Sequence, residues 1–315
     1  MSLLSLIFAL LLEQLQPLAS RKGLYAWLKG YVDYFYRNFD GGNRKHGQIA
    51  WVVAVLLPFT GTVAIYWLLM AQHPVLAWAF CVLVLYLTMG FRQFSHHFTR
   101  IQKALQANDL EQARRLLSEW RKESCSALST EEVVRLTLED ALLASHRKVF
   151  GVVVWFVIFM FLGLGPSGAI LYRMSGFLYA RWREMDWEEQ GHFSRFATQA
   201  YQLVEWLPSR MTAASFAIAG NFEDAVYCWR SQARDWPDPV AGIILASGAG
   251  AMGVRLGMPV EHLDMVVDRP EIGTGDAADA DFMQTAVGLV WRALIFWLLV
   301  LLLLTLASMT RWVGM

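Results

Sequence analysis

Long stretches without a charged side chain constrain this chain more than any other feature. The first, Ile49–Met70, has 22 residues, and the second, Val75–Gly90, has 16 residues and follows after a short turn. A helix of about 20 residues, rising about 1.5 Å per residue, spans the hydrocarbon core of a bilayer. The two runs therefore predict a transmembrane hairpin with helices over residues 49–70 and 75–91.

The two ends of the chain are also apolar. Ala293–Thr310 is an uncharged run of 18 residues that is followed by Arg311, and it predicts a C-terminal transmembrane helix over residues 285–310. Residues 1–12 make only half a span and predict a short N-terminal helix. No basic segment precedes this helix and no small-residue cleavage site follows it, so we expect it to be retained rather than removed as a signal peptide.

The stretch Phe150–Tyr172 is uncharged as well, but it is interrupted. Glycines and a proline at positions 163–168 divide it into two pieces of about 12 residues, each too short to cross a bilayer alone. Segment 150–180 is therefore either one broken spanning helix or a re-entrant pair of helices whose ends share a side. We favour the re-entrant pair, because non-helical backbone at membrane depth needs a protein-lined cavity.

The composition supports a membrane protein and excludes other classes. Of the 315 residues, 56% are hydrophobic and 17% are charged, whereas soluble domains carry about 25% charged residues. The 27 Lys and Arg balance the 27 Asp and Glu, so no basic field exists to hold nucleic acid. The three cysteines have neither CxxC nor Cys/His spacing, which predicts no metal site and no disulfide framework. The lipid bilayer is the predicted partner, and the sequence leaves the oligomeric state open.

The distribution of basic residues predicts the orientation. Residues 13–47 contain six Lys or Arg and residues 92–148 contain ten, whereas the hairpin turn at 71–74 contains none. Under the positive-inside rule, the long segments face the cytoplasm.

The cytoplasmic segments carry helix signals. Asp109 is a candidate N-cap, and Ser129 with Glu132 makes a capping box, so residues 92–149 predict helices. Helices and glycine-rich motifs also dominate residues 200–282.

Strand signals are confined to Ile243–Leu245 and Met265–Val267. We therefore predict a single all-α domain over residues 1–315. Its architecture is a polytopic helical membrane bundle with a broken or re-entrant helix and a helical cytoplasmic layer.

One glycine motif has two interpretations. Gly248, Gly250 and Gly253 match GxGxxG, which is the spacing of a dinucleotide fingerprint and would imply a nucleotide-dependent redox protein. The helix after such a fingerprint should run about three turns, but Gly257 and Pro259 follow almost at once. The favoured interpretation is close helix packing through small residues.

Two further motifs resemble those of a known family. Gly250–Pro259 reads GAMGVRLGMP and is similar to the GALGVxLGGP of the CobD/CbiB family, with Met258 in place of the second glycine of the pair. Arg269–Gly275 reads RPEIGTG and matches the family's RPxIGxG at the family's spacing. Arg135 and Glu139 also fall at matching positions. The resemblance covers most of the chain after residue 92.

The resemblance implies an enzyme of cobalamin biosynthesis in the bacterial inner membrane, an adenosylcobinamide-phosphate synthase. Such an enzyme joins an aminopropanol unit to a corrinoid carboxylate, in an amide ligation driven by a nucleotide triphosphate. The implied ligands are a corrinoid, ATP and Mg²⁺. This chemistry normally uses carboxylates to hold Mg²⁺ and basic or backbone groups for the acyl phosphate.

The candidate site combines the resemblance with residue chemistry. Glu139 and Arg210, which lies in a mostly apolar stretch similar to the family's LPxR, are the candidate catalytic residues. Arg210 and Arg269 form either an anion clamp or an ion pair with Glu139. The turn at 273–275 is either an anion nest of backbone N–H groups or a structural loop. The candidate ligand-binding residues are Gly250, Gly253, Gly257, Arg269, Pro270, Gly273 and Gly275.

Several acidic positions of the family differ in this chain. The family's VETVAENxxDG region keeps Glu139, but Leu143, Ala144 and Arg147 replace Glu, Asn and Asp. The short N-terminal helix ending at Glu13 and the segments Gly163–Trp182 and Ala217–Trp229 resemble AmpE, a membrane protein linked to β-lactamase regulation, and this resemblance covers the first two-thirds of the chain. Two functions therefore stay open: the cobalamin ligase or a corrinoid-handling relative, and a non-catalytic AmpE-like protein with a membrane signalling partner.

Overall fold

The computed structural model describes residues 2–15, 22–39, 44–185, 193–262 and 265–313, so positions 263 and 264 of the predicted segment 200–282 lie outside it. Most of the described chain is helical. Within the described residues, three helices are long and apolar enough to cross a membrane. The all-α membrane class predicted from the sequence is therefore confirmed.

Thirteen α-helices and one π-helical turn make up the helical part of the described residues. In chain order they are α1 (Ser2–Leu15), α2 (Lys22–Phe39), α3 (Arg44–Gln72), α4 (Pro74–Thr88), α5 (Phe91–Gln106), α6 (Leu110–Arg121), α7 (Thr130–Ser145), a π-helical turn (His146–Phe150), α8 (Gly151–Phe161), α9 (Ser167–Met185), α10 (Ser194–Ala219), α11 (Phe222–Ser231), α12 (Pro239–Met252) and α13 (Ala280–Val313). The chain forms two compact units, which are unit 1 (Met1–Gly90 with Gly151–Pro208) and unit 2 (Phe91–Phe150 with Ser209–Met315).

The two helices of the predicted hairpin are present in unit 1 as α3 and α4, of which α3 is a candidate membrane span and α4 is a shorter apolar helix. His73 ends the turn between them, because its Nδ1 accepts a hydrogen bond from the Val75 N–H at 3.2 Å and so caps α4. Helix α4 stops at Thr88, three residues before the predicted end, and Phe91 begins α5. The core of this unit joins α2, α3 and α9 around Trp182, whose indole N–H donates to the Val32 carbonyl at 3.3 Å.

The predicted interruption of segment 150–180 is present between α8 and α9. Gly163 and Gly165 have φ of +75° and +64°, a left-handed conformation that glycine adopts without a steric penalty. Gly168 then lies directly against the Trp155 backbone, which leaves no room for a side chain and lets the two helices pack closely.

Unit 2 confirms the predicted helix caps. Asp109 caps α6, and the Ser129–Glu132 capping box begins α7 with both of its reciprocal hydrogen bonds. The helix that begins at Thr130 does not end at 149 as predicted. It passes through the π-helical turn and continues to Phe161, and it is one of the three candidate spans.

The described strands are short and lie in unit 2 after α12. Strand β1 (Val254–Gly257) pairs antiparallel with β4 (Glu271–Ile272) and parallel with β5 (Asp276–Ala277), and β2 (Val260–His262) pairs with β3 (Met265–Val267). The strand predicted at Met265–Val267 is therefore present. The strand predicted at Ile243–Leu245 is wrong, because these residues lie inside α12, a buried helix whose small residues let its neighbours approach closely.

Candidate functional site

The glycines of the GxGxxG motif end a helix rather than begin one. Gly248 and Gly250 lie in the last turns of α12, and Gly253 terminates that helix with φ +68°. A dinucleotide fingerprint needs a strand before the glycines and a helix after them, so that interpretation is wrong here. Gly248 packs against Leu142 and Gly250 against the backbone at Asp224, which agrees with the packing interpretation.

A buried ion pair lies at the centre of unit 2. The Glu139 carboxylate is 4% exposed, and its Oε2 accepts a hydrogen bond from Arg269 Nη1 at 2.7 Å. Its other oxygen, Oε1, accepts from the Gly257 N–H at 3.0 Å. Helix α7 is thereby joined to the connection at residues 257–259 and to Arg269. The motifs Gly250–Pro259 and Arg269–Gly275 therefore meet at the carboxylate of Glu139, which itself matches a glutamate of the family.

Arg269 uses the rest of its guanidinium to hold the same connection. Its Nη2 and Nε donate to the carbonyls of Gly257 and Met258, both at 3.3 Å. The guanidinium also lies over the Trp236 ring, 5.4 Å from its centroid, which is a cation–π arrangement. Each of the three nitrogens of the Arg269 guanidinium therefore has a protein acceptor in this conformation, and the ion-pair alternative describes its geometry.

The glycines after Arg269 are required by close backbone contacts. Gly273 and Gly275 have φ of +96° and +92°, and a Cβ on either residue would collide with a carbonyl, that of Val254 or that of Gly253. The Gly273 N–H donates to Gln232 Oε1 at 2.7 Å, and Gln232 Nε2 donates back to the Gly273 carbonyl at 3.2 Å. This N–H is therefore occupied rather than directed at an anion.

The remaining predicted residues are not partners of the Glu139 carboxylate in the hydrogen bonds described here. Both oxygens of Glu139 are occupied by Gly257 and Arg269, so the predicted pair of Glu139 with Arg210 is replaced by the pair with Arg269. Arg210 lies in α10 and is partly exposed. The Pro270 carbonyl accepts from the Met258 N–H at 3.3 Å and so helps to close the 257–259 connection.

Three contributing residues were absent from the predicted site. Gln232 and Trp236 lie between α11 and α12, and Arg135 lies on α7 one turn before Glu139. Spacing within one helix could have revealed Arg135, because residues i and i+4 share a face. Gln232 gives no such signal, since its role depends on backbone that folds back 41 residues later.

The described residues do not contain a ready metal site. No group of three or more His, Cys, Asp or Glu in them could hold a metal ion. The one acidic residue of the ion pair, Glu139, has both of its oxygens engaged. The described residues therefore offer no all-protein carboxylate cage, whereas Mg²⁺ usually takes only one or two carboxylates and completes its shell with water and substrate phosphates.

Fold and site together define an α-helical membrane protein whose C-terminal glycine motifs close around a buried carboxylate. Comparison with known proteins identifies its family. The family model described as CobD/Cbib protein matches residues 6–290, which is most of the chain. The chain therefore belongs to the CobD/CbiB family.

Individual relatives agree with this assignment. The chain is 35% identical to the cobalamin biosynthesis protein CobD of Stutzerimonas stutzeri, over 95% of this chain and 96% of the relative. The CobD protein of Chromobacterium violaceum is 33% identical over 81% of this chain and 78% of the relative. The CbiB protein of Salmonella typhimurium is 25% identical over 84% and 83%. These comparisons give the AmpE resemblance no support, and no solved structure gives a significant match.

Proposed function

We propose that this protein takes part in cobalamin biosynthesis in the bacterial inner membrane, where it joins an aminopropanol unit to a corrinoid carboxylate. The observation that carries the proposal is the 35% identity over 95% of the chain to a protein named for cobalamin biosynthesis. The convergence of two family motifs on Glu139 adds structural support, because the segments that carry the resemblance also build one site. We propose that the chain crosses the membrane several times and that its long basic-rich segments, residues 13–47 and 92–148, face the cytoplasm.

The proposed reaction forms one amide bond at the expense of one nucleotide triphosphate. The γ-phosphoryl group of ATP passes to a corrinoid carboxylate oxygen, and ADP leaves. The amine nitrogen then attacks the acyl carbon, the C–O bond to phosphate breaks, and orthophosphate leaves while the nitrogen loses a proton. This route needs groups that stabilise charge on the acyl phosphate, and positioned N–H donors can supply that stabilisation.

The chain's residues divide between two roles in this proposal. Glu139 is a positioning residue, because its carboxylate is buried and already paired with Arg269 and Gly257. Arg210 is the candidate for direct contact with the acyl phosphate, because it is partly exposed on α10. No step is assigned to a Mg²⁺ ion, because no group of three or more His, Cys, Asp or Glu among the described residues marks where it would bind.

The replaced acidic positions favour a second candidate within the same family. Leu143, Ala144 and Arg147 stand where the family resemblance expects Glu, Asn and Asp. A chain without these groups could still bind a corrinoid while leaving the ligation to another protein. An AmpE-like signalling role is the further alternative, and it predicts no corrinoid binding.

One experiment separates the three alternatives. The purified protein in detergent is incubated with adenosylcobyric acid, aminopropanol phosphate, ATP and Mg²⁺, and the corrinoid is followed by mass, alongside an active family member. Appearance of the amide, and its loss in Arg210→Gln but not in the control Arg114→Gln, supports the ligase. Corrinoid binding without product supports the corrinoid-handling relative. Absence of both refutes a role in cobalamin biosynthesis.

A further inference from the structure

Arg135 is a buried guanidinium whose protein partners are weak. The residue is 4% exposed and lies on α7, one turn before Glu139. Its Nη1 faces the Met258 sulfur at 3.1 Å and its Nη2 faces the Pro259 carbonyl at 3.4 Å. Its buried Nε has no hydrogen-bond partner among the described residues. A thioether is a weak acceptor and 3.4 Å is a long hydrogen bond, so this cation lacks the acceptors that a buried arginine normally has.

The carboxylates that the structure describes near Arg135 hold it only weakly. Glu132 comes only to 4.0 Å, and its other oxygen is committed to the capping box, where it accepts from the Ser129 N–H at 2.7 Å. Glu139, one turn further on, is occupied by Arg269. Arg269 has an ionic partner at 2.7 Å, whereas the described carboxylate that pairs with Arg135 lies at 4.0 Å. Since a buried charge with only weak partners is costly, this guanidinium is placed to receive an acceptor from outside the protein.

Met258 covers Arg135 in a strained conformation. Its φ is +64°, which costs a residue with a side chain about 1–2 kcal/mol relative to glycine. The neighbouring Gly257, at φ +82°, has the residue type that this conformation favours. Met258 therefore retains a strained backbone while its flexible side chain lies on the guanidinium. An unbranched thioether chain rotates away readily, because its three side-chain torsions are soft.

We propose that Arg135 binds an oxyanion of a ligand and that the Met258 side chain is a displaceable cover over this site. A planar guanidinium with an unpartnered Nε–H and weak acceptors on its other nitrogens suits a phosphate or a carboxylate, which are the oxyanions of the substrates in the proposed function. The identity of the physiological ligand rests on the proposed function. Binding of an oxyanion at Arg135 does not, so simple phosphate is included as a probe.

The test is direct binding to the full-length protein in nanodiscs. Equilibrium dialysis measures the affinity for orthophosphate, ATP, aminopropanol phosphate and adenosylcobyric acid, each alone. The variants are Arg135→Gln, Arg135→Lys, Met258→Gly and Met258→Leu. Arg114→Gln is the control for charge, because Arg114 makes a 2.7 Å bond to the Leu128 carbonyl elsewhere in unit 2. Circular dichroism and gel filtration establish that each variant is folded.

We expect Arg135→Gln to weaken binding of at least one probe by about tenfold or more, which is the loss of one charge-assisted hydrogen bond. Arg135→Lys recovers part of that loss, because it restores the charge but not the planar fork. Met258→Gly binds the same probe more tightly than the wild type, and Met258→Leu, which keeps the cover, does not. The probe that responds identifies the source of the oxyanion as phosphate or corrinoid carboxylate.

Two results would overturn the inference. In the first, Arg135→Gln binds every probe as well as Arg114→Gln does. In the second, Met258→Gly binds no probe more tightly than the wild type, which is decisive even if Arg135→Gln fails to fold. If orthophosphate binds in an Arg135-dependent way and no corrinoid binds, the proposed function is refuted and this inference stands. Corrinoid binding that is unchanged in Arg135→Gln refutes this inference and leaves the proposed function intact.

Discussion

Replacing Glu139 with glutamine removes the charge of the buried carboxylate but keeps an acceptor of the same shape. The glutamine carbonyl can still accept from the Gly257 N–H, but the 2.7 Å bond from Arg269 loses its ionic partner. Hydrogen bonds to charged groups contribute about 1.5–3 kcal/mol, so we expect Glu139→Gln to lower the free energy of unfolding by that amount. Glu139→Ala should cost about 3–5 kcal/mol, because it also removes the acceptor of the Gly257 N–H and leaves a cavity beside the unpaired guanidinium.

A double-mutant cycle tests whether this loss belongs to the ion pair. Glu139→Gln, Arg269→Gln and the double variant are unfolded in detergent by a denaturant series, followed by far-ultraviolet circular dichroism. We expect a coupling energy of about 1–3 kcal/mol between the two sites, whereas Glu139→Gln and the control Arg114→Gln should be additive. Effects of Glu139→Gln and Arg269→Gln that add within about 0.5 kcal/mol would refute the reasoning.

Three further outcomes are expected in denaturation experiments. Gly273→Ala, at φ +96° against a backbone carbonyl, should lose at least about 1–2 kcal/mol, whereas Gly30→Ala, with no atom within 4 Å, should gain up to about 1 kcal/mol. Ser129→Ala should cost about 1 kcal/mol by removing the capping box, seen as a lower midpoint. A hydrogen bond from Arg181 lowers the pKa of Asp33 below its usual 3.8, against the opposing effect of burial. The stabilisation from this pair is therefore complete above about pH 4 and is lost as the pH falls further, and Asp33→Asn should flatten that loss in a pH series of thermal unfolding.

Features with a local cause were predictable from the sequence. The capping box at Ser129 needs only residues within one turn, and the helix pair at Ile49–Gly90 follows from two uncharged runs and a turn. The interruption at Gly163 and Gly165 follows from the conformation that glycine alone adopts easily.

Features that depend on distant partners were not predictable in this way. The strands after α12 have two to four residues, too few to show a period, and they pair with segments up to 22 residues away. The π-helical turn at His146–Phe150 has no sequence pattern of its own, and the helix passes through it where a boundary was expected. In the site, the types of Glu139 and Arg269 were recognisable, but their pairing required the fold.

The wide separation of Glu139 from Arg269 has a consequence during synthesis of the chain. The two residues lie 130 positions apart, and ribosomes add about 5–20 residues per second, so Glu139 waits on the order of ten seconds or more for its partner. During that interval the segment Thr130–Phe161 has already been synthesised, but its Glu139 does not yet have Arg269 as a partner. Any nascent chain cut short before Arg269 retains that acid permanently, so completion of the C-terminal third determines whether this helix can be buried without penalty.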